Sequence, residues 1–156
     1  MTSIFGGAEP MTFDLAKETV GQLFSLTYRK IGHVLATRFK PFDITTEQWS
    51  VLSRLSEQEG ISQKELANRS LKDQPTVTRI LDCLERKDLI RKTANAEDRR
   101  SFLIYMTEKG KGVVGELLPH FHQALADVTE GIPEKQIELF RETLYKMIEN
   151  AERHKA

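Results

Sequence analysis

A mainly α-helical fold with one small β-hairpin is predicted by three features of the sequence. Apolar residues recur at spacings of three and four along most of the 156-residue chain, which is the period of an amphipathic helix. Short capping motifs precede several of these segments. Two β-type runs, "LIRKTA" and "FLIYM", enclose a loop with the charged tip "EDRR". A chain of this length has room for one domain with a proper core.

The N-terminal part is predicted to contain a tail and a long helix. Residues 1–11 have neither a basic start nor a long apolar centre, so they are interpreted as a flexible tail and not as a secretory signal. A helical segment over residues 12–40 follows, and Pro41 ends it. Its apolar face is formed by Val20, Phe24, Tyr28, Ile31 and Leu35.

Two helix-start motifs follow this segment. "TTEQ" at residues 45–48 and "SQKE" at residues 62–65 resemble capping boxes, in which side chains satisfy free backbone donors. The first motif opens a helix that carries Trp49 and stops near Gly60. The second opens a short helix that ends at about Arg69.

A third helix is predicted from residue 74 to about residue 87. Asp73 can cap it, and Pro75 occupies its first turn, where proline is tolerated. Two short capped helices joined by a tight turn and followed by a two-stranded hairpin make a winged helix-turn-helix. This unit is placed at about residues 45–106.

The helix over residues 74–87 separates an apolar arc from a polar arc at about 100° per residue. The apolar arc, which must face the core, holds Val77, Ile80, Leu81 and Leu84. The outward surface of the first two turns presents Gln74, Pro75, Thr76, Thr78 and Arg79. Amide, hydroxyl and guanidinium groups read base edges or bind phosphates when a helix N-terminus enters the major groove. A merely solvated face is the alternative interpretation.

The tip of the hairpin carries Asp98, Arg99 and Arg100. If the preceding helix lies in the major groove, the hairpin projects along the duplex as a wing toward the next minor groove. An arginine at the tip can enter that narrow, electronegative groove. Asp98 is predicted to hold one guanidinium while the other reaches out, and the sequence leaves open which arginine has which role.

Charge placement also indicates a polyanionic partner. The whole chain has a net charge of zero, but residues 62–100 contain ten basic and seven acidic residues. This middle segment is therefore mildly basic between acidic ends.

Two more helices are predicted after the hairpin. "TEKG" at residues 107–110 opens the first, Gly131 and Ile132 break it, and Pro133 fits the first position of the second. The last helix has an apolar stripe that includes Ile137, Phe140, Leu144 and Met147. At roughly 1.5–3 kcal/mol for each buried side chain, this stripe can hold two chains together as a homodimer. Packing on the first helix of the same chain is the alternative, and both can be partly true.

The order of elements, with "DQPTVTRILDCLERKDLIRKTANAEDRRSFLIYMTEKG" at its centre, resembles the MarR family of bacterial transcription regulators. The resemblance extends from about Thr12 to Arg153. It implies one MarR-like domain over residues 12–156, in which residues 12–40 and 107–153 form dimerisation helices. It also implies an obligate homodimer whose two winged domains straddle a palindromic site in double-stranded DNA.

By the same resemblance, the outward residues of the helix over residues 74–87 match the major-groove helix, and residues 98–100 match the wing tip. Members of the family typically repress a promoter until a small molecule or an oxidant weakens their binding to DNA.

A small aromatic or phenolic effector would bind where the first helix, the Trp49 helix and the helix after the wing converge. Its predicted contacts are Tyr28, His33, Arg38 and Trp49, each of which is an ordinary packing or surface residue in the alternative interpretation.

The remaining reactive side chains give no sign of catalysis. Cys83, the single cysteine, cannot form an internal disulfide, which fits a reducing cytoplasm. It flanks the buried arc, so a structural role is favoured over an oxidation switch. His120 and His122 point about 200° apart on a helix and cannot share a metal ion. No metal or cofactor site and no membrane span are predicted.

The sequence therefore predicts a cytoplasmic, sequence-specific DNA-binding regulator, a ligand-responsive repressor that binds a palindromic operator as a homodimer. Three alternatives remain: a winged-helix module that binds other proteins, a redox-responsive regulator acting through Cys83, and an enzyme using that thiol. An interaction module would present an aromatic or aliphatic outward face.

Overall fold

The computed structural model describes residues 17–155, so the predicted tail lies outside the described residues. Within this range the chain forms helices α1 (Val20–Phe39), α2 (Thr46–Glu57), α3 (Gln63–Ser70), α4 (Gln74–Arg86), α5 (Glu108–Val128) and α6 (Glu134–Arg153). The strands are β1 (Ile61–Ser62), β2 (Ile90–Ala94) and β3 (Phe102–Met106). The predicted class, mainly α with a small β wing, is confirmed. None of the helices in residues 17–155 is both long and apolar enough to cross a membrane.

Helix α1 begins at Val20, and residues 12–16 of the predicted helical segment lie outside the described residues. Its N-cap is Thr19, whose hydroxyl accepts from the backbone N–H of Gln22 at 3.3 Å, while the Gln22 side chain accepts from the Thr19 backbone at 2.9 Å. This capping box fixes the start of α1 at Val20. A short 3₁₀ turn, Lys40–Phe42, contains Pro41 and directs the chain into α2.

The caps of α2 and α4 are as predicted, and that of α3 is simpler. Ser62 accepts from the backbone N–H of Glu65 at 3.2 Å, but the Glu65 carboxylate pairs with Arg69 at 2.7 Å instead of returning to Ser62. "SQKE" is thus a single cap and not a capping box. Asp73 caps α4 by accepting from the backbone N–H of Thr76 at 2.8 Å.

The predicted two-stranded hairpin belongs to a three-stranded antiparallel sheet with the order β1-β3-β2. Ile61 of β1 lies opposite Ile104 of β3. Between β2 and β3 the register runs from Ile90 opposite Met106 to Ala94 opposite Phe102. A strand of two residues is too short to show an alternating pattern, so β1 could not be predicted.

The core lies between the sheet and the three helices of the winged unit. The predicted apolar arc of α4 is confirmed, since Val77, Ile80, Leu81 and Leu84 are all buried. Phe39 extends the core to α1 by packing on Trp49, with ring centroids 5.4 Å apart. Fully buried Leu117 extends it to α5. The winged unit is therefore held firmly to the long helices on either side of it.

The last helix lies largely on the surface of the described chain. Pro133 is its N-cap and not, as predicted, its first helical residue, which is Glu134. No residue of α6 is buried. Phe140 stacks on Phe24 of α1, with ring centroids 6.1 Å apart, yet it remains 52% exposed. Packing on the first helix of the same chain therefore covers only part of the apolar stripe.

Candidate nucleic-acid interface

The outward face of α4 has the chemistry predicted for it, but two of its five side chains are engaged within the protein. Gln74, Pro75 and Arg79 are exposed, whereas Thr76 and Thr78 are half-buried. In the described part of the chain, the side chains of Gln74 and Arg79 form no hydrogen bond or ion pair. The Gln74 amide and the Arg79 guanidinium are therefore available to a ligand.

Thr76 is tied to the cap of the helix. Its hydroxyl donates to the Asp73 carboxylate at 2.9 Å, beside the backbone hydrogen bond at 2.8 Å. These two bonds, together with the positive charge of Arg79, lower the pKa of Asp73. The carboxylate therefore stays ionised near the N-terminus of α4, and the hydroxyl of Thr76 is left as an acceptor.

Thr78 joins α4 to α3. Its hydroxyl donates to the backbone carbonyl of Gln74 at 2.8 Å and accepts from the side-chain amide of Gln63. Gln63 was not predicted as a site residue, although its place in the first turn of the helix before α4 could have indicated it. This contact fixes how the two helices of the helix-turn-helix meet.

The wing tip is ordered by backbone contacts. The Asp98 carboxylate accepts from the backbone N–H of Arg100 at 3.0 Å, and the Asp98 carbonyl accepts from the Ser101 N–H at 3.0 Å. Asn95 closes the loop by donating to the Ser101 hydroxyl at 3.0 Å. The predicted pairing of Asp98 with a guanidinium is therefore wrong. Arg99 and Arg100 are exposed, and within residues 17–155 neither guanidinium has an ion-pair partner.

The start of α4 and the wing tip face each other across one groove of about 420 Å³. We call it the wing–helix groove, and its lining includes Gln63, Lys64, Gln74, Asp98, Arg100 and Phe102. The structure thus brings together part of the helical set and part of the wing set predicted from the sequence. Arg79 and Arg99 do not line this groove.

Lys92 fixes the orientation of the wing relative to α4. From β2 its ammonium group reaches two carboxylates of α4, Asp82 at 2.7 Å and Glu85 at 3.2 Å. Burial opposes the charged form of Lys92, but the hydrogen bonds and charges of the two carboxylates outweigh it and raise its pKa. These ion pairs therefore hold the base of the wing against α4.

Two of the four predicted effector contacts lie together. Tyr28 and Trp49 line a groove of about 550 Å³ between α1, α2 and the α3–α4 turn, which we call the α1–α2 groove. His33 and Arg38 do not line it. Arg38 pairs instead with Asp127 of α5, and the pKa of Asp127 is lowered by hydrogen bonds from Gln123 and Arg38.

Basic side chains predominate around the α1–α2 groove. Arg29, Arg54, Arg69 and Lys72 line it, together with one carboxylate, Glu47. Lys72 pairs with Glu47 and so ties the α3–α4 turn to α2. Leu71 of the same turn also lines the groove, and 92% of its surface is exposed. An occupant of this groove would contact the turn that positions α4.

Cys83, His120 and His122 each contact a neighbouring side chain in the described part of the chain. Cys83 is half-buried, and the Arg86 guanidinium donates to its sulfur at 3.0 Å. His120 packs on Phe42, with ring centroids 5.0 Å apart, and His122 lies beside Phe121. Across the described range, no three His, Cys, Asp or Glu side chains are grouped so that they could hold a metal ion.

These elements define a winged helix-turn-helix protein. Residues 44–102 match the family model of the MarR family. The MepR–DNA complex from S. aureus is similar over 86% of this chain and 99% of that chain, with 28% identity and a TM-score of 0.81. BpsR from Bordetella bronchiseptica, described with a mechanism for regulation of its DNA binding by 6-hydroxynicotinic acid, is similar over 83% and 98%, with 25% identity and a TM-score of 0.77.

A mutant MarR from E. coli complexed with operator DNA shares the fold over 86% of this chain and 99% of that chain, with 24% identity and a TM-score of 0.79. The match to the MarR family model covers residues 44–102, and the resemblance seen in the sequence is confirmed over this part of the chain. The members of this family are transcription regulators and not enzymes.

Proposed function

We propose that this protein is a non-enzymatic, sequence-specific DNA-binding regulator: a ligand-responsive repressor that binds a palindromic operator as a homodimer in the cytoplasm. The observation that carries the proposal is the wing–helix groove. There the start of α4 and the wing tip, the two elements that a winged helix places in DNA grooves, line one concave surface with unpaired polar and basic groups.

The two elements have different roles in this proposal. The N-terminal half of α4 enters the major groove, where Gln74 and Arg79 have side chains free to contact base edges. The wing tip approaches the next minor groove with Arg99 and Arg100. The S. aureus MepR–DNA complex and the E. coli MarR–operator complex have similar folds, which supports this docking mode.

The exposed apolar side chains of α1 and α6 support the homodimer. Val20 and Tyr28 of α1 are 63% and 76% exposed, and Phe140 and Met147 of α6 are 52% and 42% exposed. A patch of this kind on a soluble chain marks an interaction surface. A second copy covers it by twofold symmetry and supplies the second winged unit that a palindromic site requires.

The α1–α2 groove is the proposed effector site. Its aromatic side chains and the guanidinium of Arg29, which forms no ion pair within the described residues, suit a small aromatic acid or phenol. The regulation of BpsR by 6-hydroxynicotinic acid supports an effector of this class. A ligand there contacts Leu71 and Lys72 of the α3–α4 turn and so weakens DNA binding by moving α4. Salicylate is a suitable probe of this chemical class.

The alternatives have less support. The outward surface of α4 and the wing tip is polar and basic, whereas a protein-interaction face is expected to be aromatic or aliphatic. Cys83 lies beside buried Leu84 and under the Arg86 guanidinium, which favours a structural role over a redox or catalytic one. Loss of operator binding on peroxide treatment only when Cys83 is present would establish the redox alternative.

A gel shift with the DNA upstream of the protein's own gene tests the proposal. The purified protein is expected to retard this duplex more strongly than a scrambled duplex of equal length, and salicylate is expected to release it. Failure to retard either duplex at low ionic strength would contradict DNA binding. Retardation that salicylate and related aromatic acids leave unchanged would contradict the effector assignment alone.

A further inference from the structure

We propose that the wing–helix groove holds the sugar–phosphate backbone of one DNA strand, with Lys64 neutralising a phosphate and Phe102 packing against a deoxyribose. The inference rests on the proposed function, because it requires α4 in the major groove and the wing in the adjacent minor groove. Neighbouring major and minor grooves are separated by one backbone strand, so the surface between α4 and the wing must face that strand. Gln74 at the start of α4 and Arg100 at the wing tip both line this surface.

Lys64 supplies a free positive charge where the phosphates would pass. It lies exposed in the first turn of α3, and in the described part of the chain it forms no ion pair. The groove also contains Arg100 and one acidic residue, Asp98, whose carboxylate is already engaged by the Arg100 backbone N–H. Two cations against one such carboxylate favour a phosphodiester, which contributes affinity without reading sequence.

Phe102 supplies an apolar surface at the rim of the groove. It points to the same side of the sheet as buried Ile104, because side chains alternate along a strand, yet it is 53% exposed. Its cross-strand neighbour is Ala94, which is too small to cover the ring. The open face of the ring suits the C–H surface of a deoxyribose, while the adjacent phosphate stays with Lys64.

Two substitutions separate these contributions in anisotropy titrations of the full-length protein with an upstream duplex and a scrambled duplex. Lys64→Ala is expected to lower affinity for both duplexes by about fivefold per half-site and to reduce the slope of log Kd against log salt by about 0.9 per half-site. Phe102→Ala is expected to lower both affinities by about fivefold with an unchanged slope, and Phe102→Leu by less.

Lys135→Ala is the matched control, since it removes an equal charge from the polar side of α6. Thermal unfolding by circular dichroism identifies any variant that loses its fold. A neutral methylphosphonate placed at successive phosphates locates the contact: at one position per half-site it is expected to weaken the wild type but not Lys64→Ala.

The inference and the proposed function fail in different ways. If the wild type binds neither duplex, DNA binding itself is refuted and the inference with it. If the wild type binds while folded Lys64→Ala keeps the wild-type salt slope, or folded Phe102→Ala keeps the wild-type affinity, the strand assignment alone is overturned.

Discussion

The backbone carbonyl of Leu89 lies directly against Gly110 in the first turn of α5. The same carbonyl accepts a hydrogen bond from the Thr107 N–H at 3.1 Å, so its position is fixed. A Cβ at residue 110 would overlap the carbonyl oxygen and lie 3.0 Å from the carbonyl carbon. This close approach joins the end of the helix-turn-helix to α5, and only glycine permits it.

Gly110→Ala is therefore expected to destabilise the protein by about 3 kcal/mol or more, because rigid backbone must shift to admit the methyl group. Gly112→Ala is the matched control in the same helix, where a Cβ meets no atom within 4 Å. It is expected to stabilise by roughly 0.5–1 kcal/mol through helix propensity. Urea unfolding of the two variants checks both values, and equal midpoints would contradict the packing described for α5.

The cap of α4 predicts a specific acid sensitivity. The pKa of Asp73 is lowered in the folded chain. Its contribution to stability is therefore present above its unfolded pKa, near the ordinary value of 3.8, and is lost as pH falls through the folded pKa. Asp73→Asn retains an oxygen that can accept from the Thr76 N–H but has no charge to lose. Below about pH 3.8 the stability of the wild type is expected to fall faster than that of the variant.

Urea midpoints measured from neutral pH down to acid, with Asp73→Ala included, test this cap. Asp73→Ala is expected to be the least stable of the three proteins at neutral pH, since it loses the cap altogether. Identical pH profiles for the wild type and Asp73→Asn would show that these hydrogen bonds do not favour the ionised form of the Asp73 carboxyl group.

Arg79 and Arg100 are expected to differ in what they recognise. Arg79→Ala should cost roughly 1–3 kcal/mol on the operator and relax the sequence preference at one position, because it removes a base contact. Arg100→Ala should weaken binding to operator and scrambled DNA by similar factors. Each variant removes one positive charge, so each is the control for the other in titrations against duplexes with single base-pair changes. Wild-type affinity in both variants would refute the proposed groove roles.

The stripe on α6 gives a prediction about assembly. Phe140→Glu replaces a half-exposed ring of the proposed dimer interface with a charged side chain. This change is expected to convert the dimer to a monomer. Lys146→Glu places the same carboxylate away from the apolar stripe, with a larger change in net charge, and should still leave the dimer intact. Sedimentation equilibrium distinguishes the two results. A wild type that is monomeric at micromolar concentration would contradict the assembly itself.

Local chemistry made much of the fold predictable. Asp73 and Pro75 indicated the start of α4, and the spacing of Val77, Ile80 and Leu84 indicated its buried side, because capping and helical period depend on neighbouring residues. Long-range contacts were not predictable in this way. The engagement of Thr78 by Gln63 depends on how two helices meet, and the pairing of β1 depends on a distant strand.

The wing tip illustrates the same limit within the site. Residue types at the tip identified Asp98 as an anchor, but only the loop conformation shows that it holds the Arg100 backbone and not a guanidinium. Similarly, aromatic and basic residue types suggested an effector pocket. Tyr28 and Trp49 line the same groove, whereas Arg38 forms an ion pair with Asp127 instead.

The central claim is that two copies of one surface, the N-terminal half of α4 and the wing tip, bind adjacent grooves of the same duplex. Hydroxyl-radical footprinting of the DNA upstream of the gene tests it most directly. We expect two protected segments on one face of the duplex, with centres about one helical turn apart or a multiple of it, that are lost as salt is raised. No protection at low ionic strength, or a single unpaired segment, would contradict the account.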